Sequence, residues 1–273
     1  MDSDEGRGDV GAVPLIDDLG MPVTLARPVR RVVSLVPSLT EAIACTAAHL
    51  LVGCTDFCVL PADLDERAGH RLTRVRGPKN PDCRAIEALH PDLVIANQEE
   101  NRRFDVDHLR DAGVPVWVTR IDTVSQALTS LDRLVGKALD LPRPGWLSAA
   151  QQNWSGPDPA MRHRAVVCIW RDPWMVAGPR TYVADVLARS GIALAPLPVP
   201  EWPAARYPRV DLEALRSSDA DLVLLMDAPY HFTASDGPEC FEGMNVRIMP
   251  ERPLAWYGPG LTDARAEIVL RVG

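Results

Sequence analysis

Side chains capable of chemistry gather in a few short stretches of this chain, most of them directly after apolar runs. In the first half these are Ser38, Thr55, Asp56 and Phe57, then Arg76, Lys79 and Asn80, then Glu99, Glu100 and Arg102. The second half contributes Trp170, Arg171 and Trp174, then Tyr230 and His231, then Trp256 and Tyr257. Phe57, Trp174, Trp256 and Tyr257 supply aromatic faces suited to a flat macrocycle or aromatic ligand, and Arg76 or Arg171 suits its carboxylate or phosphate groups. His231, with Asp227 and Tyr230 nearby, is the histidine best placed for an axial metal contact or a proton transfer. Glu99 is the carboxylate closest to a strand end, whereas Glu100 is accounted for by a helix amino terminus that favours negative charge. Trp170 ends a buried run and is expected to pack; Trp256 lies in a Gly/Pro-rich loop and is expected to face ligand. His49, His70, His90, His108 and His163 fall on helix ends or surface loops and take no role.

The six cysteines form no CxxC pair and no zinc-ribbon spacing. Cys45 and Cys168 sit in apolar runs as small core residues. Cys54 and Cys58 are four apart and either point at a ligand or are simply buried; burial is the plainer expectation. No nucleophile elbow, phosphate loop, zinc motif or dinucleotide fingerprint is present.

The elements that position these residues follow from apolar runs and their punctuation. Val13 to Leu25 reads as a hairpin turning at Asp18-Leu19-Gly20. Arg31–Val36 and Asp92–Ala96 are continuous apolar runs, the pattern of strands covered on both faces. Ser38-Leu-Thr-Glu41 has capping-box spacing and starts a helix to about Leu50. Glu100–Ala112 is the next helix, Val114–Thr119 a strand, and Thr123-x-x-Gln126 caps a helix to about Asp140. The second half echoes the first: Ile86–Ala96 corresponds to Leu212–Leu225, and Arg31–Val36 with its helix to Arg164–Trp170 followed by Tyr182–Ser190. The fold class expected is α/β, two Rossmann-like lobes with parallel-type sheets, a short helical linker and a ligand cleft between the lobes. The boundaries expected are a disordered terminus over 1–12, a first lobe over 13–140, a linker over 141–160 and a second lobe over 161–273.

The net charge is −8, from 29 basic and 37 acidic side chains, with no basic run to attract nucleic acid. No window reaches the ~18 apolar residues of a membrane span. The opening Met-Asp-Ser-Asp-Glu-Gly-Arg lacks the basic start and apolar stretch of a secretory signal, so a cytoplasmic location is expected.

Five segments in order carry a resemblance: Arg31-Val-Val-Ser-Leu-Val-Pro-Ser-Leu-Thr-Glu-Ala, Val52-Gly-Cys-Thr-Asp-Phe-Cys, Gly77-Pro-Lys-Asn-Pro, Leu89-His-Pro-Asp-Leu-Val and Gly113-Val-Pro-Val-Trp-Val-Thr. Together they resemble the helical-backbone substrate-binding proteins of cobalamin and iron-chelate type, over about residues 14–272. Glu99-Glu-Asn-Arg102 and Trp256-Tyr-Gly-Pro259 are similar to a signal-less subgroup of that family. The resemblance implies two lobes joined by one helix and a shallow cleft holding cobalamin, haem or another metal chelate, bound rather than turned over. It also implies a docking glutamate for a membrane permease on each lobe. Glu213 matches one of these, but Arg84 occupies the other, so permease docking is not expected. A cleft tryptophan of the family is replaced by Arg76, while Trp256 matches its counterpart. Two alternatives remain at this point. The cleft could serve an enzyme acting on a biosynthetic intermediate, with Glu99 or His231 as base, or the chain could be an exported transporter receptor whose signal has been trimmed.

Overall fold

The computed structural model describes residues 14–200 and 202–273; the expected loose terminus over 1–12 lies outside the described residues. The chain divides into two units, one running through Arg120 and including Arg133–Pro142, the other comprising Ile121–Asp132 and Arg143–Gly273.

The first unit is built on a five-stranded sheet in the order Thr73–Arg74, Leu51–Cys54, Val32–Ser34, Leu93–Asn97, Val116–Thr119, parallel throughout. Strands buried on both faces must be apolar at successive positions, not alternate ones. Val32 and Val33, and Leu93 through Ala96, are wholly buried. Leu35, Ile86, Val106 and Leu109 cover the sheet from the crossover segments. Where the strand Leu51–Cys54 passes under the loop at Leu89, a β-carbon on Gly53 would lie 2.8 Å from the Leu89 Cδ1 and 3.2 Å from the Thr73 carbonyl oxygen, so a larger residue would force Leu89 to shift. The expected hairpin forms between Leu15–Ile16 and Pro22–Val23, with Gly20 at φ +79° in its turn. Asp17 fixes it to the sheet: Oδ1 accepts the Leu19 and Met21 amides, and Oδ2 accepts Arg110 Nη2 at 2.9 Å and the Val118 amide at 3.3 Å.

In the second unit the strand His163–Trp170 runs parallel to Leu222–Met226, which in turn pairs in parallel with Val246–Met249. On its other side lie Ile192–Leu194, parallel, and the short antiparallel Met175–Val176. Val166, Cys168, Val223, Leu225, Trp174, Phe232 and Phe241 form its core.

Three expectations need correction. The helix after the first strand spans Pro37–Ala47 with Val36 as N-cap and no side-chain cap. Pro37 occupies the first helical turn, where its missing N–H costs nothing, so Ser38 is inside the helix and not its cap. The helix expected from Glu100 begins at Arg103, because the Asn97 side chain accepts the Glu99 and Glu100 amides and holds them in a turn. The helix Gly145–Trp154, expected as the linker, lies within the second unit, where Trp154 Nε1 donates to the Leu261 carbonyl at 2.8 Å. The chain passes from the second unit back to the first inside another helix, Val124–Arg133 and its continuation Leu134–Ala138. That helix starts as its sequence requires: Thr123 Oγ1 accepts the Gln126 amide at 3.1 Å, and Gln126 Oε1 accepts the Asp122 amide at 2.7 Å.

Candidate functional site

In a parallel sheet, side chains that follow the carboxyl ends of strands stand clear of the flanking helices, and ligand sites form there. In the first unit the strand Leu51–Cys54 leads into Asp56 and Phe57, both exposed, with the Phe57 ring 62% accessible. The Asp56 amide donates to the Arg76 carbonyl, joining this loop to the hairpin Arg76–Gly77/Asn80–Pro81. Phe57 lies over Gly77, where a β-carbon would come within 3.2 Å of its Cε2 and 2.6 Å of Asn80 Oδ1. Arg76 adopts φ 64° and places Nη2 3.3 Å from Asp82. Lys79 Nζ donates to the Glu99 carbonyl. Phe57, Arg76, Lys79, Asn80 and Glu99 are therefore brought together. Arg102 is exposed at the next helix start. Ser38 is 3% accessible, and its Oγ has no hydrogen-bond partner.

Three residues beneath this face escaped the sequence reading. Asn97 donates to Thr119 Oγ1 at 3.1 Å, and its amide donates to Asn101 Oδ1 at 2.8 Å. Asn101 Nδ2 reaches the Pro78 carbonyl at 3.0 Å and the Leu35 carbonyl at 3.3 Å. All three are buried, and they hold the hairpin carrying Lys79 and Asn80 against the strand ends. The available signal was an amide and a hydroxyl at the carboxyl ends of apolar strands, where a buried polar group must find partners. A cavity of about 430 Å³ is lined by Leu19, Met21, Val106, Arg110 and Val118 together with Asn97 and Asn101, and by none of the site residues picked out from sequence.

In the second unit the aromatic assignments exchange places. Trp170 is 40% accessible, while Trp174 is 7% accessible. A bulge between Cys168 and Trp170 turns Trp170 outward. After the turn through Asp172, Trp174 re-enters the core, stacked on Phe232 at 5.8 Å and edge-on to Phe241 at 5.2 Å. Tyr230 meets Trp170 edge-on at 5.5 Å and donates its hydroxyl to Asp236 at 2.7 Å. Arg171 is likewise engaged internally, by Asp236, by Glu239 at 2.8 Å and over the Trp174 ring.

Trp256 is half-buried, and its Nε1 donates to Glu251 Oε2 at 3.2 Å. Because Trp256 is extended, the next side chain points the other way. Tyr257 is accordingly buried, edge-on to Tyr182 at 5.6 Å. His231 is exposed, its Nδ1 3.4 Å from the Asp227 carbonyl. Asp227 Oδ1 accepts the Glu251 amide at 2.8 Å. Burial pushes the Glu251 carboxyl above its ordinary range, the Trp256 hydrogen bond opposes this, and the nearby Asp227 charge adds to it. Trp170, Tyr230, His231, Asp227, Glu251 and Trp256 thus follow the ends of three adjacent strands. Asp227 and Glu251 were not singled out as site residues from sequence. An acidic residue two positions past a strand end was the available sign for Glu251.

No family model matches the chain. A vitamin B12-binding protein of Vibrio parahaemolyticus is 30% identical over 108 residues, 39% of this chain and 38% of that protein. Another, from Yersinia pestis, is 31% identical over 124 residues, 45% of this chain and 41% of its own length. The match spans about two fifths of these relatives. Among solved structures, the periplasmic vitamin B12 binding protein BtuF of Vibrio cholerae superposes at TM-score 0.68 with 18% identity, covering 90% of this chain and 97% of that one. The periplasmic heme-binding protein BhuT, in complex with two hemes, gives 0.71 at 22%, covering 89% and 97%. CeuE of Helicobacter pylori with Ni(II) bound gives 0.74 at 17%, covering 95% and 88%. In fold, the chain is similar to these two-lobed periplasmic binding proteins.

Proposed function

We propose that the protein binds a flat metal-chelating macrocycle, a corrinoid or haem-like molecule, through the strand-end faces described above. The observation that carries this is the exposure of large aromatic side chains there, Phe57 at 62% and Trp170 at 40% accessible. An exposed aromatic side chain on a rigid strand-end loop offers contact area at small entropic cost. Arg76 and Lys79 place positive charge on the hairpin next to Phe57, and Arg102 is exposed at the following helix start; such charges suit the propionate or phosphate groups these ligands carry. His231 is the side chain suited to a metal's axial position. The names of the relatives support the same class of ligand.

The test is a visible-absorption titration of the purified chain with cobalamin and with haem, repeated for Phe57→Ala. Truncation of an anchoring aromatic is expected to weaken binding about tenfold. The same change in an exposed side chain should shift stability by less than about 0.5 kcal/mol. Equal affinity of the variant and the parent would remove Phe57 from the site.

We further infer that the chain does not dock a permease by a matched pair of acidic groups. Counted from the helix starts, Arg84 and Glu213 are each the second, exposed residue of the helices Cys83–Ala88 and Leu212–Arg216, and they carry opposite charges. Co-purification with a candidate permease that is retained by the parent chain would contradict this. A reducing, cytoplasmic location also belongs to the proposal. Its support is the use of six thiols, among them Cys45, which its helix turns to the surface and not into the core expected from its apolar run, and cell fractionation tests it.

A further inference from the structure

Directly beneath the Phe57 loop lies a pair of thiols that ligand binding does not use. Cys54 ends its strand and Cys58 closes the following turn, the Cys58 amide donating to the Thr55 carbonyl at 3.1 Å. Their side chains are 0% and 1% accessible, and each thiol bears on the other's titration. Around Cys58 Sγ stand the hydroxyls of Thr40 at 3.0 Å and Thr55 at 3.1 Å. Arg74 Nη1 is 3.1 Å from Cys54 Sγ and 2.9 Å from the Cys58 carbonyl, with Asp65 at 3.6 Å from the same guanidinium. Ordinary buried cysteines are inert because an apolar setting suppresses the thiolate. Cys168, wholly buried in the second core, is such a case, its thiol pushed up by burial. Cys58 goes the other way. Burial alone would raise it, but the hydrogen bonds from Cys54, Thr40, Thr55 and the Thr55 amide outweigh burial and favour its thiolate. Cys54 is raised by that same hydrogen bond and by burial, and remains the protonated partner.

We propose that Cys54 and Cys58 form a peroxide-responsive dithiol that closes to a disulfide across the Asp56–Phe57 turn. The Cys58 thiolate attacks one oxygen of hydrogen peroxide; an S–O bond forms, the O–O bond breaks, and hydroxide leaves to be protonated to water. The Cys54 sulfur then attacks the sulfur of the Cys58 sulfenic acid. An S–S bond forms, the S–O bond breaks, and a second water departs with the Cys54 proton. Two thiols and one peroxide give one disulfide and two waters. The burial of the pair favours a water-sized oxidant over a bulky disulfide, and Arg74 Nη1 lies beside the Cys54 sulfur that closes the bond in the second step. The loop between the two sulfurs carries Phe57, so closing it resets the ring's position over Gly77. This consequence for the ligand rests on the function proposed above.

The test uses the full chain in its native state. It is treated with stoichiometric hydrogen peroxide, alkylated, and mapped by mass spectrometry. The proposal expects a Cys54–Cys58 disulfide, formed at least about tenfold faster than any modification of Cys168, and slower closure with oxidised glutathione. In Cys54→Ala, a sulfenic acid trap should label Cys58; in Cys58→Ala, Cys54 should stay unlabelled. Full alkylation of both thiols in the native parent chain after peroxide, with Cys45 or Cys240 oxidised instead, overturns the proposal whether or not the variants fold. A haem titration of the reduced and oxidised chain reads the consequence separately. Several-fold different affinities support it, and equal affinities overturn it. Absence of binding in both states counts against the ligand class instead, leaving the disulfide result intact.

Discussion

Asp17 shows how a single residue can hold an element in place. Its carboxylate is buried and accepts three backbone amides and one guanidinium. Asp17→Ala strands those donors, Arg110 among them, and is expected to cost about 3 kcal/mol in urea denaturation. Glu251 behaves oppositely. Its carboxyl is raised above the ordinary 4.5, so the folded state takes up a proton that the unfolded chain has released. Its protonated form fits the fold best, and stability falls as pH rises from about 4.5 through the raised value. Glu251→Gln keeps the acceptor for Trp256 and removes the charge. We expect it to flatten that part of the stability-pH profile and to raise the melting temperature at pH 7 by about 2 °C. A profile parallel to the parent's would place the effect elsewhere. At this scale the sequence was a partial guide. It marked Phe57, Arg76, Lys79 and Trp256, because strand ends followed by polar and aromatic residues are visible in one dimension. It could not separate Trp170 from Trp174, because a bulge decides which ring turns outward, nor see that Asp236 and Glu239 already engage Arg171. Those are long-range partners, and no local pattern announces them.

Among the elements, buried strands were the most legible, since a run apolar at every position has few other uses. Helix starts were less so. Thr123-x-x-Gln126 and Ser38-x-x-Glu41 carry the same spacing, yet only the first acts as a cap. The difference is Pro37, which takes the first helical position and moves the cap back to Val36. Thr123→Ala is therefore expected to destabilise the fold by about 1 kcal/mol. Ser38→Ala removes a buried hydroxyl that lacks a partner and should be neutral or slightly stabilising. Thermal denaturation of the two variants side by side checks this contrast; an equal loss in both would contradict it.

At the scale of the molecule, the duplication was readable because each half repeats helix end, turn and buried strand in the same order. Those repeats are now the helix Cys83–Ala88 before Leu93–Asn97 and the helix Leu212–Arg216 before Leu222–Met226. The point of exchange between the units was not readable. It falls within the helix that begins at Val124, whose sequence does not differ from that of an ordinary surface helix. What the two strand-end faces are for is decided by whether a macrocycle binds them. The most direct measurement is a visible-absorption titration of the ligand-free chain with cobalamin and with haem. A saturable spectral shift at one ligand per chain, weakened by Phe57→Ala, is the result expected. Unchanged spectra with both ligands at concentrations up to about 100 μM, a range that reveals even weak specific binding, would contradict the account.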